Sequence, residues 1–150
     1  MRNDRSDCTT IGSLTKLTMA YILIVDDDED DRELFCDALR EVDPSIVCIH
    51  AQDGQQALLG LRLKEFPIPH IIFIDLNMPR LNGFQCLKEL KKDRALQNIP
   101  VAIYTTSKIQ EHQEECERLG SAHFITKPTR FAELCSVISE VLVKEMMARK

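Results

Sequence analysis

Five short apolar runs, each followed by a longer amphipathic stretch, constrain this chain more than any other feature. The runs fall at 21–25, 46–49, 70–74, 101–104 and 123–125. They are rich in Ile, Val, Phe and Tyr and too short for helices, so they read as strands. Helical periodicity follows at 29–42, 54–65, 83–93, 109–119 and 129–147. The last of these puts Phe131, Leu134, Cys135, Ile138, Val141 and Leu142 on one stripe, while Gly120 stops the helix before it and Pro128-Thr129 starts the new one. Parallel strands require long crossovers, so this alternation predicts a parallel sheet covered on both faces. The uninterrupted Ile71-Ile72-Phe73-Ile74 suits a central strand of that sheet. The expected fold is a doubly wound α/β domain over residues 19–150, preceded by a flexible extension at 1–18. The pattern at 109–119 anchors its helix least, since its apolar side reduces to Ile109, Cys116 and Leu119.

With 150 residues the chain has room for one domain with a full core. Its net charge of −5, with no basic cluster, argues against nucleic acid as the main partner. No apolar run approaches the roughly 18–20 residues of a membrane span. The first 18 residues lack the continuous apolar core of a secretory signal, so a cytoplasmic protein is expected. Six cysteines are scattered singly, without a Cys-x-x-Cys pair or a metal-ligand spacing. Neither a disulfide nor a zinc site is therefore expected.

In an open α/β sheet, ligands bind beyond the carboxyl ends of the strands. Asp26 and Asp27 follow the first run, Asp75 the third, and Thr105, Thr106 and Ser107 the fourth, while Lys127 lies near the end of the fifth. Carboxylates brought together there cannot all stay ionised unless a cation shares the site. Oxygen donors suit Mg²⁺, which keeps several waters and needs one or two carboxylates. A phosphoryl group on Asp75 would have its charge offset by Mg²⁺ and Lys127 and would accept a hydrogen bond from a hydroxyl. The acids from Asp28 to Asp31 are expected to start the following helix, where negative charge favours the dipole.

The segments "ILIVDDDEDDRELF", "IIFIDLNMPRLNGF", "VAIYTTS" and "FITKP" resemble the receiver domain of two-component response regulators, over roughly residues 20–147. The resemblance implies a flavodoxin-like five-stranded parallel sheet of order 2-1-3-4-5. It makes Asp75 the phosphoacceptor, Asp27 a direct Mg²⁺ ligand, Asp26 a ligand through water, and the backbone carbonyl of Asn77 a further ligand. Lys127 would contact the phosphoryl group, Thr105 would be the switch hydroxyl and Phe124 the switch aromatic. Position 124 is often Tyr in the family, and Thr106 stands where a smaller residue is usual; its bulk is expected to slow access to Asp75. Such a protein is a phosphoacceptor that assists its own phosphoryl transfer and hydrolysis, not an enzyme with a separate substrate. No output domain is expected after the last helix, which makes this a stand-alone receiver similar to chemotaxis and phytochrome-associated types. Its partners would be a sensor histidine kinase or phosphotransfer protein and a downstream protein, with no nucleic acid and no membrane. A homodimer through the face of the fourth helix, fifth strand and fifth helix is also compatible.

A phosphatase of the haloacid-dehalogenase type is the alternative. Asp26-x-Asp28 would supply its nucleophile, Asp26, and its second acid. Asp30 stands where that family expects Thr or Val, and no acidic pair follows the fourth run.

Overall fold

The computed structural model describes residues 19–147, so the extension expected at 1–18 lies outside the described residues. The elements alternate as β1 (Tyr21–Val25), α1 (Glu29–Val42), β2 (Val47–Ala51), α2 (Gly54–Arg62), β3 (Ile71–Ile74), α3 (Gly83–Lys92), β4 (Val101–Thr105), α4 (Gln110–Leu119), β5 (His123–Thr126) and α5 (Phe131–Leu142), closed by a π-helical turn at Val143–Met147. All strand pairs are parallel, in the order β2-β1-β3-β4-β5. This is the expected doubly wound sheet. β1, β3 and β4 lie inside it, and β2 and β5 form its edges.

The two-residue period of the strands sorts their side chains onto two faces. Leu23, Val25, Ile72, Ile74, Val101 and Ile103 pack against Leu58 and Leu61 of α2, Leu87 and Leu90 of α3, and Cys116 of α4. Ile22, Ile24, Ile71, Phe73, Ala102 and Tyr104 pack against Phe35 and Leu39 of α1 and Leu134, Ile138 and Val141 of α5. The Phe35 ring lies 4.7 Å from Phe73 and 5.5 Å from Tyr104, centroid to centroid, in tilted and edge-on contacts.

Three expectations are corrected. Phe131 opens α5 instead of joining its buried stripe and is 41% exposed. Ile109 is the residue before α4 and is 51% exposed, which leaves Cys116 as the one fully buried side chain of that helix. The cysteines are not all solitary: Cys36 of α1 and Cys48 of β2 form a disulfide, with their Cα atoms 5.9 Å apart. The pairing arises because α1 packs directly over the edge strand that follows it, a juxtaposition that residue spacing alone does not report.

Candidate functional site

The loops at the carboxyl ends of β1, β3 and β5 converge on one ammonium. Lys127 Nζ lies 2.7 Å from Asp26 Oδ2, 2.8 Å from Asp31 Oδ2 and 3.2 Å from Asp75 Oδ2. Parallel pairing produces this convergence. The Asp26 N–H continues the ladder to the Ala51 carbonyl, and the Asp75 N–H to that of Val25. The Lys127 N–H donates to the Thr105 carbonyl at 2.7 Å. Asp26, Asp75 and Lys127 thus each sit one step past the last residue of a strand, at the same height on the sheet.

Local chemistry holds the acids in place. Asp26 is completely buried, and its Oδ1 accepts from the Asp28 N–H at 3.0 Å. Its carbonyl accepts from the Arg32 guanidinium at 2.7 Å. Asp28 caps α1 by accepting from the Asp31 N–H. The Asp75 Oδ1 accepts from the Asn77 N–H at 3.2 Å. Behind Asp75, Gly83 begins α3 so close to the backbone that a Cβ there would lie 2.5 Å from the Asp75 carbonyl oxygen. Only a residue without a side chain permits that approach.

Burial raises the pKa of Asp26, and so does the neighbouring Asp75 charge; the Lys127 and Asp28 hydrogen bonds oppose both. Burial by itself would lower Lys127, but hydrogen bonds to Asp26 and Asp31 and the charge of Asp75 outweigh it and hold the ammonium above its ordinary range. The two shifts are compatible because one cation serves several acids. Its Nζ also lies 5.3 Å from the Tyr104 ring centroid.

Carboxylate oxygens of Asp26, Asp27 and Asp75 all lie within 4.8 Å of one another. Asp26, Asp31 and Asp75 share the Lys127 ammonium and Asp27 adds a fourth carboxylate to the cluster, leaving an excess of negative charge. The donors are hard oxygens, and exposed Asp27 leaves an open side for water. Such a set fits a small divalent cation of the Mg²⁺ kind and offers nothing to a soft metal.

Thr105 is fully buried, with its Oγ1 accepting from the Ser107 N–H at 3.3 Å. Phe124 pairs in register with Ile103 and is half-buried against the core under α2, α3 and α4. Thr106 is exposed. The expected residues therefore gather as Asp26, Asp27, Asp75 and Lys127, with Thr105 on the adjoining strand and Phe124 toward the opposite end of β5. Two participants were not expected. Asp31 belongs to the first turn of α1 and yet bonds Lys127, and its sequence signal is indistinguishable from that of any first-turn acid. Arg80, at φ 65°, reaches 2.9 Å from the buried carboxylate of Asp53, which caps α2, and so ties the loop after Asp75 to the one after β2.

The phosphatase alternative loses its second acid here, because Asp28 is committed to the α1 cap. Comparison with known proteins agrees. The model of the response regulator receiver domain matches residues 22–139. Protein PilH of Pseudomonas aeruginosa is 32% identical over 124 residues, covering 83% of this chain and 98% of that protein. The phosphorylated cyanobacterial phytochrome response regulator RcpA superposes with a TM-score of 0.80 at 25% identity, covering 87% of this chain and 96% of its own. The Mn²⁺-bound form of response regulator Rcp1 gives 0.74 at 26% identity, over 83% and 92% of the two chains. The chain spans 63% and 58% of the length of two Arabidopsis thaliana two-component response regulators that it also matches. A doubly wound sheet of order 2-1-3-4-5, an acidic cluster gripped by one lysine and a family match over most of its length make this chain a member of the response regulator receiver domain family of two-component signalling.

Proposed function

We propose that Asp75 accepts a phosphoryl group from a phosphohistidine on a sensor kinase or phosphotransfer protein. An Asp75 carboxylate oxygen attacks phosphorus; the O–P bond forms as the N–P bond breaks, and the imidazole nitrogen keeps the electron pair. The single observation that carries this reading is the ammonium of Lys127 held against Asp75 and Asp26 from a third strand. It fixes the nucleophile in place, and it stands ready to contact the incoming phosphoryl oxygens. Asp26, Asp27, Asp75 and the Asn77 carbonyl would hold Mg²⁺. Bound there, the ion supplies charge neutralisation for the phosphoryl group. Hydrolysis reverses the state: water attacks phosphorus, the O–P bond breaks and the Asp75 carboxylate is regenerated. The exchange takes place in the cytoplasm, where ATP-fed kinases carry phosphohistidine.

The output follows from the same groups. The Thr105 hydroxyl turns from its Ser107 contact to donate to the phosphoryl oxygen, and Phe124 packs further into the core behind it. α4 is the responsive element, since Cys116 is its only fully buried anchor. The reshaped surface of α4, β5 and α5 then docks a downstream protein or a second copy of the chain. Residues 19–150 act as the signalling unit. Incubation with a small phosphodonor and Mg²⁺ should label the wild type and leave Asp75→Asn unlabelled. Equal labelling of both refutes the assignment.

A further inference from the structure

On the edge of the sheet away from β5 sits a second cluster that the phosphoryl site does not use. Cys36 lies on the buried side of α1, while Cys48 and His50 are two residues apart on β2, so their side chains leave the same face of the strand. The disulfide joins Cys36 to Cys48, and the Cys36 Sγ is 3.1 Å from His50 Nε2. The two sulfurs and an imidazole nitrogen all lie within 4.8 Å of one another. A purely structural disulfide has no need of an imidazole against its sulfur. Two thiols and an imidazole converging on one point are a soft, tetrahedral-type donor set, unlike the hard oxygens around Asp75.

We propose that Cys36, Cys48 and His50 form a thiol-controlled zinc site. A dithiol reductant attacks one sulfur and breaks the Cys36–Cys48 bond; its second thiol resolves the mixed disulfide, leaving two protein thiols and an oxidised reductant. Zn²⁺ then binds both sulfurs as thiolates and His50 through Nε2, and the two thiol protons pass to water. At a tetrahedral ion with Zn–S near 2.3 Å, the sulfurs stand about 3.8 Å apart. Cα atoms 5.9 Å apart reach that separation by rotation of the side chains alone. Access is open, because β2 is an edge strand, Cys48 is half-buried and His50 is exposed, which leaves the fourth position to water. Reoxidation removes both thiolates and closes the site. The site revises the expectation of solitary, metal-free cysteines and is independent of the phosphoacceptor assignment, since the two share no residue.

The remaining described cysteines supply internal controls. Burial raises the thiols of Cys86 and Cys116 to about 12 and about 11, and both are fully buried. Cys135 lies on α5, with its Sγ 3.9 Å from the Ala38 carbonyl. The test is competition for Zn²⁺ between a chromophoric chelator and the full chain, in excess Mg²⁺ to occupy the acidic site. The reduced wild type and Cys135→Ser should each take up one equivalent, and Co²⁺ in its place should give a thiolate-to-metal charge-transfer band. Cys36→Ser and Cys48→Ser should bind more than about 100-fold more weakly, a larger loss than the 10–100-fold typical of residues that only support ligands. His50→Ala should bind at least about 10-fold more weakly, and the oxidised wild type should not bind until it is reduced. Equal binding by the reduced wild type and Cys48→Ser, by the reduced and oxidised chains, or no binding by the reduced wild type overturns the proposal. Circular dichroism of each serine variant checks that a loss of binding is not a loss of fold; if both unfold, His50→Ala, whose side chain is exposed, decides.

Discussion

Replacing Lys127 by Ala tests how the site balances its charge. The substitution removes the cation that pairs with the Asp26 carboxylate, a group with no solvent exposure. Stripping one partner from a buried pair typically costs about 3–5 kcal/mol. The cost has a ceiling, because the stranded carboxyl can take up a proton instead of staying charged. From an ordinary aspartate pKa of 3.8, protonation costs about 4.4 kcal/mol at pH 7 and about 1.6 kcal/mol at pH 5. Asp26 already has a raised pKa in the folded protein, and loss of the ammonium raises it further. A folded-state carboxyl pKa above its unfolded value means that stability is gained as pH falls through the folded pKa, and the variant gains more than the wild type. Lys127→Ala should therefore lose about 3–4 kcal/mol at pH 7 and less than about 2 kcal/mol at pH 5. Urea denaturation in the presence of a chelator, at both pH values, measures the difference. Replacing the chelator by Mg²⁺ at about 100 times its Kd should return roughly 2.7 kcal/mol to the variant at pH 7, since a divalent ion can stand in for the lost charge. A loss that is equal at the two pH values, or greater at pH 5, would refute the reasoning that Asp26 depends on Lys127 for its charge.

Two further substitutions probe the surroundings of Asp75. Thr106→Ala removes an exposed side chain beside the strand end that carries Thr105; if its bulk restricts water and small donors, dephosphorylation should quicken several-fold, and an unchanged lifetime removes that role. Gly83→Ala puts a methyl group 2.5 Å from the Asp75 carbonyl oxygen and 2.6 Å from the Leu76 Cα, both of them backbone atoms that cannot swing aside. It should destabilise the fold by about 2–3 kcal/mol in urea titrations and slow labelling of Asp75, whereas a neutral result would mean that the start of α3 shifts freely.

Much of this protein is written locally. The strands, the helix stop at Gly120 (φ 105°) and the placement of Asp26, Asp27, Asp75, Thr105 and Lys127 at strand ends follow from periodicity and turn chemistry within a few residues. Parallel pairing then makes every strand end face the same way, so residues past those ends must meet. The strand order came from family resemblance, because periodicity identifies strands without saying which are neighbours. Only the tertiary structure decided which side chains share a charge. The Lys127 contacts to Asp26 and Asp31 span 101 and 96 residues, and nothing near Asp31 distinguishes it from acids that merely favour a helix start. The same holds where packing brings unrelated segments together. Ile109 and Phe131 satisfy a helical stripe but lie at helix ends, where the stripe has run out of sheet to cover. Cys36 sits on α1 and Cys48 and His50 on β2, with no ligand spacing between them, and they meet because α1 folds back over the edge strand. A chain's own periodicity sets which face of an element is buried; what that face meets depends on the path of the elements between.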